Sequence, residues 1–154
     1  MSGITEIQSG LPFTVYLGGT DYSGFNQFAD RPNTGTGKLV QHNKSPNGAF
    51  DTSYFSTITA GQVGTERRDQ YYGPGLVNFD LAVAKDFPLS ERFRLNFRAD
   101  LFNIFNHTNF SNPVATFTSS SFGKITSTVG NATSGTGGAI GGARLAQFAL
   151  RLNF

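Results

Sequence analysis

From Arg92 to Phe102 the chain alternates apolar and polar residues almost without error, in the order Arg-Phe-Arg-Leu-Asn-Phe-Arg-Ala-Asp-Leu-Phe. A period of two marks a β-strand with unlike sides, because successive side chains point to opposite faces. Phe93, Leu95, Phe97, Ala99 and Leu101 share one face, and Arg94, Asn96, Arg98 and Asp100 share the other, which ends on Phe102. Val77 to Phe87 repeats the pattern, with Val77, Phe79, Leu81 and Val83 opposed to Asn78, Asp80, Ala82, Ala84 and Asp86. Pro88 to Glu91 predicts a short turn joining the two strands, since proline is excluded from central strands and favoured in turns. Two registers keep the apolar faces aligned: Phe87 with Phe93, setting Asp86 against Arg94, or Phe87 with Glu91, setting Asp80 against Arg98. Either one makes a cross-strand ion pair.

A third strand is predicted over Ala143 to Phe154, with Phe148, Leu150, Leu152 and Phe154 on one side and Gln147, Ala149, Arg151 and Asn153 on the other. A weaker fourth runs from Ile4 to Leu17, interrupted at Gly10 and Pro12, with Phe13, Val15 and Leu17 alternating with Thr14 and Tyr16. Between them lie long polar connections, Gly18 to Gly75 and Asn103 to Gly142, the second holding a short β candidate over Phe122 to Val129. Structureless loops above about 12 to 15 residues are uncommon in compact soluble domains.

Composition sharpens the picture. More than two-fifths of the 154 residues are Gly, Pro, Asn, Ser or Thr, only 14% are charged, and Phe alone occurs 16 times. Soluble domains carry about 25% charge, and disordered chains are poor in aromatics. The reading is all-β with long loops. The apolar faces must be covered, since burying each large side chain is worth about 1.5 to 3 kcal/mol. Three features favour lipid as the cover. Arg94, Arg98, Asp100 and Arg151 stand next to small residues such as Ala82, Ala84 and Ala149, as in a crowded polar lumen with Asp80. The segments are about as long as the 9 to 11 residues of a tilted membrane strand. Aromatics gather at segment ends, Phe87, Phe93 and Phe154 at one and Phe102, Phe105 and Tyr16 at the other, like two girdles. On this reading Phe79, Leu81, Val83, Phe93, Leu95, Phe97 and Leu101 face lipid, while Asp80, Arg94, Arg98, Asp100 and Arg151 face the lumen.

Charge and candidate chemistry exclude more than they add. The net charge is +2, with cations scattered among Arg31, Lys38, Lys44, Arg67, Arg68 and Arg144, so no basic stripe suggests nucleic acid. Without cysteine there is no disulfide, thiolate metal site or cysteine nucleophile. Neither a leader peptide nor a membrane helix is legible near Met1 or elsewhere. Gly35-Thr-Gly-Lys38 departs from phosphate-loop spacing at Pro32 and Leu39, and Gly135 to Gly142 reads as linker. His42 and His107 read as surface loop histidines, with no second ligand at metal spacing and no legible Ser-His-Asp set. Asn106-His-Thr108 and Asn131-Ala-Thr133 match the glycosylation pattern by spacing alone. No enzyme and no cofactor are expected.

Four stretches together carry a family resemblance: Tyr72 to Pro88, Glu91 to Phe110 with its Asn103-Ile-Phe-Asn106 core, Phe122-Gly-Lys-Ile-Thr-Ser127, and the closing Arg144 to Phe154. Over roughly Gly10 to Phe154 their order and spacing resemble the C-terminal end of TonB-dependent outer-membrane receptors, nearest the Oar-like group with an N-terminal carboxypeptidase-regulatory-like domain. The resemblance implies a barrel of which this chain is the last part, an antiparallel transmembrane β-barrel segment of about four long strands with long extracellular loops. Four strands leave the barrel incomplete, and neither the family's plug nor its TonB box is legible here. With a periplasmic C-terminus, the Pro88 turn is periplasmic and both long connections are extracellular. The resemblance further implies that Phe148, Leu150, Leu152 and Phe154 form the signal read by the barrel-assembly machinery, a role that fits edge-strand addition. Outer-membrane lipid and the remaining strands of a full-length barrel are the other expected partners. Ligand selectivity in such receptors resides in the plug and in loops from all strands. A competing expectation is a soluble secreted β-sandwich binding glycans or surfaces through aromatic loop residues such as Tyr71, Tyr72 and Phe50, with Phe93, Leu95, Phe97 and Leu101 packed in a closed core. A third is a homo-oligomer whose copies together close one barrel.

Overall fold

The structure, a computed structural model, describes residues 1–19, 21–25, 30–42, 45–129 and 142–154. Among these residues there are eight strands: β1 (Ser2–Gln8), β2 (Pro12–Phe13), β3 (Asn33–Thr34), β4 (Phe55–Ser56), β5 (Tyr71–Tyr72), β6 (Leu76–Pro88), β7 (Arg94–Phe102) and β8 (Leu145–Asn153), with one 3-10 turn at Thr52–Tyr54. No described helix is long and apolar enough to cross a membrane. The chain divides into two compact units, one of Met1–Gln8, Leu76–Asn109 and Thr128–Phe154, the other of Ser9–Gly75 and Phe110–Ser127. The Gly135 to Gly142 linker, Gly142 apart, the Asn131 sequon and Lys44 lie outside the described residues.

The first unit is an open, wholly antiparallel sheet in the order β1-β6-β7-β8. The three strongest alternating segments therefore form β6, β7 and β8. The fourth strand is Ser2–Gln8 and not Ile4 to Leu17. Gly10 ends it for a steric reason. A Cβ there would lie 1.8 Å from the Gly73 carbonyl oxygen, so the backbones approach closely where only glycine fits.

Neither expected register of the β6–β7 hairpin forms. Phe87 pairs with Leu95 and Pro88 with Arg94, so Pro88 is the last strand residue and the turn is Leu89 to Phe93. The Phe93 carbonyl accepts from the Leu89 and Ser90 N–H groups at 2.9 and 3.2 Å, which gives the turn a closed hydrogen-bond set. Proline is tolerated there because a strand end needs no further ladder donor. The shift changes the polar pairs. Asp86 faces Asn96, whose Nδ2 donates to it at 2.6 Å, and Ala84 faces Arg98. The expected cross-strand ion pairs are replaced by one within a strand, between Arg98 Nε and Asp100 at 2.8 Å.

The second unit corrects the expectation of structureless loops. Phe13, Val15, Leu39, Ala49, Phe50, Phe55, Tyr71 and Ile125 form its buried core. Phe13 packs on Phe50 and Tyr71 with ring centroids 5.9 and 5.7 Å apart, and Phe122 sets its edge against Phe50 at 5.3 Å. Two ribbons frame this core, β2 with β5 (Pro12↔Tyr72, Phe13↔Tyr71) and β3 with β4 (Asn33↔Ser56, Thr34↔Phe55). Phe122 to Val129 forms no strand among the described residues. Its backbone instead bonds back to the preceding segment, Val114 N–H to the Lys124 carbonyl at 2.8 Å and Gly123 N–H to the Val114 carbonyl at 3.0 Å. Phe13, Val15 and Leu17 alternate as read and are buried, Phe13 and Val15 in this core and not against lipid.

Candidate functional site

The candidate site is the four-stranded sheet itself, with its two faces and its two ends. Register places Phe79, Leu81, Val83, Lys85 and Phe87 of β6 on one face with Leu95, Phe97, Ala99 and Leu101 of β7 and Ala146, Phe148, Leu150 and Leu152 of β8. The strand positions read as lipid-facing, Phe93 apart, fall on this side, as do the first three positions read as an assembly signal. Phe93 lies in the turn, just before β7, and Phe154 just past β8. Exposure is high where the sheet has no neighbour: Phe148 is 69% exposed, Leu150 68% and Leu152 50%. Within the first unit the described residues hold this one sheet, and no second sheet of that unit packs on it as in the core of a soluble sandwich. Two further parts of that alternative fail, because Phe50 and Tyr71 are buried in the second unit and only Tyr72 is exposed.

The other face carries Asp80, Arg94, Arg98, Asp100 and Arg151, all five positions read as lumen-facing. A cavity of about 380 Å³ opens there, lined on that side by Ser2, Ile4, Asp80, Ala82, Arg98 and Asp100 among others. Arg98 stands between Ala84 and Ala149 across the ladder, so small neighbours leave room for its guanidinium. Asp80 accepts from Asn78 Nδ2 at 3.0 Å and from the Asn103 N–H at 2.9 Å. These charges share one face, but the two registers expected from aligned apolar faces gave them other cross-strand partners, and the hydrogen bonds of the turn set a third register.

The end opposite the Leu89–Phe93 turn shows residues that the pattern reading missed. Asn103 has a left-handed backbone (φ 48°) and is 1% exposed. Its Oδ1 accepts from His107 N–H at 2.9 Å, and its Nδ2 donates to the carbonyls of His107 at 2.9 Å and Gly142 at 2.8 Å. Asn106, also left-handed (φ 52°), accepts from the Arg144 N–H at 3.0 Å. Asn109 is fully buried, its Oδ1 accepting from Val77 N–H at 2.9 Å and its Nδ2 donating to the Val77 carbonyl at 3.0 Å. β7 stops opposite Asp80, so this side-chain amide serves the backbone of Val77 as a further strand residue would. His107 is a surface histidine as read, but its Nδ1 lies 3.0 Å from Asn109 Oδ1. The available signal was three asparagines at a spacing of three after a strand, a residue type that tolerates the left-handed region. The expected girdle at this end also changes. Phe105 meets Phe79 edge-on at 5.0 Å, whereas Phe102 points to the polar face and Tyr16 belongs to the second unit.

Within the second unit one buried polar pair stands out. Glu66 is 2% exposed and accepts a 2.8 Å hydrogen bond from the Tyr71 hydroxyl on Oε2, while Oε1 has no hydrogen-bond partner among the described residues. Burial pushes the Glu66 carboxyl up from its ordinary value. Burial, with the bond to Glu66, pushes the Tyr71 hydroxyl up as well. Among the described residues no group of three His, Asp or Glu side chains is placed to hold a metal ion.

An antiparallel sheet with one outward apolar face, one charged face and long connections at one end defines a segment of a membrane β-barrel. Comparison with family models agrees, matching residues 1–147 to the family described as outer membrane beta barrel domain. The chain belongs to that family, and its place is the bacterial outer membrane. Searches of curated proteins and of solved structures found no match.

Proposed function

We propose that the chain is the C-terminal part of a TonB-dependent receptor barrel of the Oar-like group, contributing its last four strands. In this reading its roles are lipid contact, lumen lining and assembly, and it carries no catalytic site or cofactor. The observation that carries the reading is β8. It stands at the edge of the described sheet and carries exposed apolar residues at alternate positions, Phe148, Leu150 and Leu152, with Phe154 following. A free edge with regularly spaced side chains suits strand addition by an assembly receptor. The other edge, β1, is open for the preceding strands of a larger barrel, and the concavity on the charged side suits a lumen.

The reading frame upstream of Met1 tests the receptor assignment. An in-frame continuation with further alternating segments and a plug is expected, and a stop codon directly upstream overturns it. Deleting Phe154 tests the assembly role separately. Outer-membrane fractions should hold several-fold less protein than with the intact terminus, and equal amounts would remove the signal from the proposal.

A further inference from the structure

We infer that Lys85 is an anchor for the headgroup of an anionic glycerophospholipid on the side of the membrane where the β6–β7 turn lies. The inference rests on the outward face of the sheet being the lipid face. Lys85 is a cation in the middle of that face, directly opposite Phe97, which is itself opposite Leu150. None of the outward-facing strand residues is acidic, and the one ion pair of the described residues, Arg98 with Asp100, lies on the other face. A lysine at the midplane of a barrel wall costs about 2 to 4 kcal/mol and near an interface about 0 to 1. The strand therefore fixes how deep Lys85 can sit.

Its surroundings show how the cost is avoided. Phe87, two residues on, lies about 7 Å along the strand, or about 5 Å in depth once a barrel tilt of roughly 40° is included. The lysine stem is long enough to cover that depth with its methylenes on apolar surface and its ammonium at the interface. The ammonium does point that way, since Lys85 Nζ lies over the Phe87 ring, 5.0 Å from its centroid. Phe93 and Phe154 stand at the same end of β7 and β8 and complete an aromatic belt, with Lys85 reaching into it from the apolar side. The phosphodiester of an anionic phospholipid supplies the counter-charge that the protein face lacks.

The chain contains no tryptophan, so Phe97→Trp creates a single reporter beside Lys85. The full chain carrying it is folded into phosphatidylcholine vesicles containing either brominated phosphatidylcholine or brominated phosphatidylglycerol, and quenching gives the relative lipid binding constant. A preference of about fivefold for phosphatidylglycerol is expected, the equivalent of one lysine near a charged surface. Lys85→Gln should abolish the preference and Lys85→Arg should keep it. Quenching that is equal for both lipids in the Lys85 protein overturns the anchor while leaving the lipid face intact. An unquenched reporter overturns the lipid face itself.

Discussion

Asn103→Ala tests whether side-chain amides hold the end of the sheet opposite the Leu89–Phe93 turn. The side chain makes three hydrogen bonds, to His107 N–H, the His107 carbonyl and the Gly142 carbonyl, from a site that is 1% exposed. At about 1 kcal/mol each, their loss amounts to about 3 kcal/mol. The backbone is left-handed (φ 48°), which asparagine tolerates and alanine does not, adding about 1 kcal/mol. Alanine should thus cost about 4 kcal/mol and glycine, which is at ease with that φ, about 3, against total stabilities of about 5 to 15 kcal/mol. Urea titration of the chain folded in vesicles measures both. Because the chain has no cysteine, a disulfide between Ala99→Cys and Phe148→Cys, which are direct partners, reads the β7–β8 register independently. In the Asn103→Ala background that cross-link should weaken in favour of partners two residues away. A loss below about 0.5 kcal/mol with an unchanged cross-link, or glycine less stable than alanine, would refute the reasoning.

Two further outcomes follow from the charged and apolar positions. Glu66 has its carboxyl raised by burial from an ordinary 4.5, so the folded unit keeps a proton that the unfolded chain has already released. Its stability is therefore fullest below the unfolded value and falls as pH rises toward the folded one; Glu66→Gln should flatten that slope in urea titrations from acid to neutral pH, and an unchanged slope would assign it elsewhere. On the apolar face, Val83→Arg, two residues deeper than the Lys85–Phe97 level, should cost about 2 to 4 kcal/mol in vesicles, while Leu95→Arg, only two residues from the Phe93 belt, should cost about 0 to 1. Equal penalties at the two positions would contradict a membrane interface at Phe93.

The sheet was legible because its evidence is local. Each of β6, β7 and β8 carries its own two-residue period, and parity alone assigns each side chain of these three strands to a face. The β6–β7 register was not, since Phe87 can face Phe93, Glu91 or Leu95 without disturbing parity, and the hydrogen bonds of the Leu89–Phe93 turn decide among them. The second unit was illegible for a different reason. Phe13, Phe50, Tyr71 and Phe122 meet in one core although they are widely separated in the chain and belong to no common period. Phe13, Val15 and Leu17 alternate, but alternation says only that a face is covered, not by what. The asparagines of the sheet end escape a hydropathy reading altogether, because their work is done by amide hydrogen bonds.

The β2–β5 ribbon bears on the order in which the sheet folds. By sequence, β1 and β6 are separated by residues 9–75, against the five residues of the β6–β7 turn. Loop-closure entropy growing as three-halves RT ln n makes that pairing about 2 kcal/mol harder to initiate. The ribbon joins Pro12 to Tyr72 and Phe13 to Tyr71, and the Gly73 N–H donates to the Leu11 carbonyl at 2.9 Å. Once it has formed, only residues 9, 10, 74 and 75 separate that junction from the strands on either side. A contact of high sequence separation then closes at the speed of a hairpin, so the slow step of assembly moves from β1–β6 pairing to the collapse of the aromatic core that holds the ribbon.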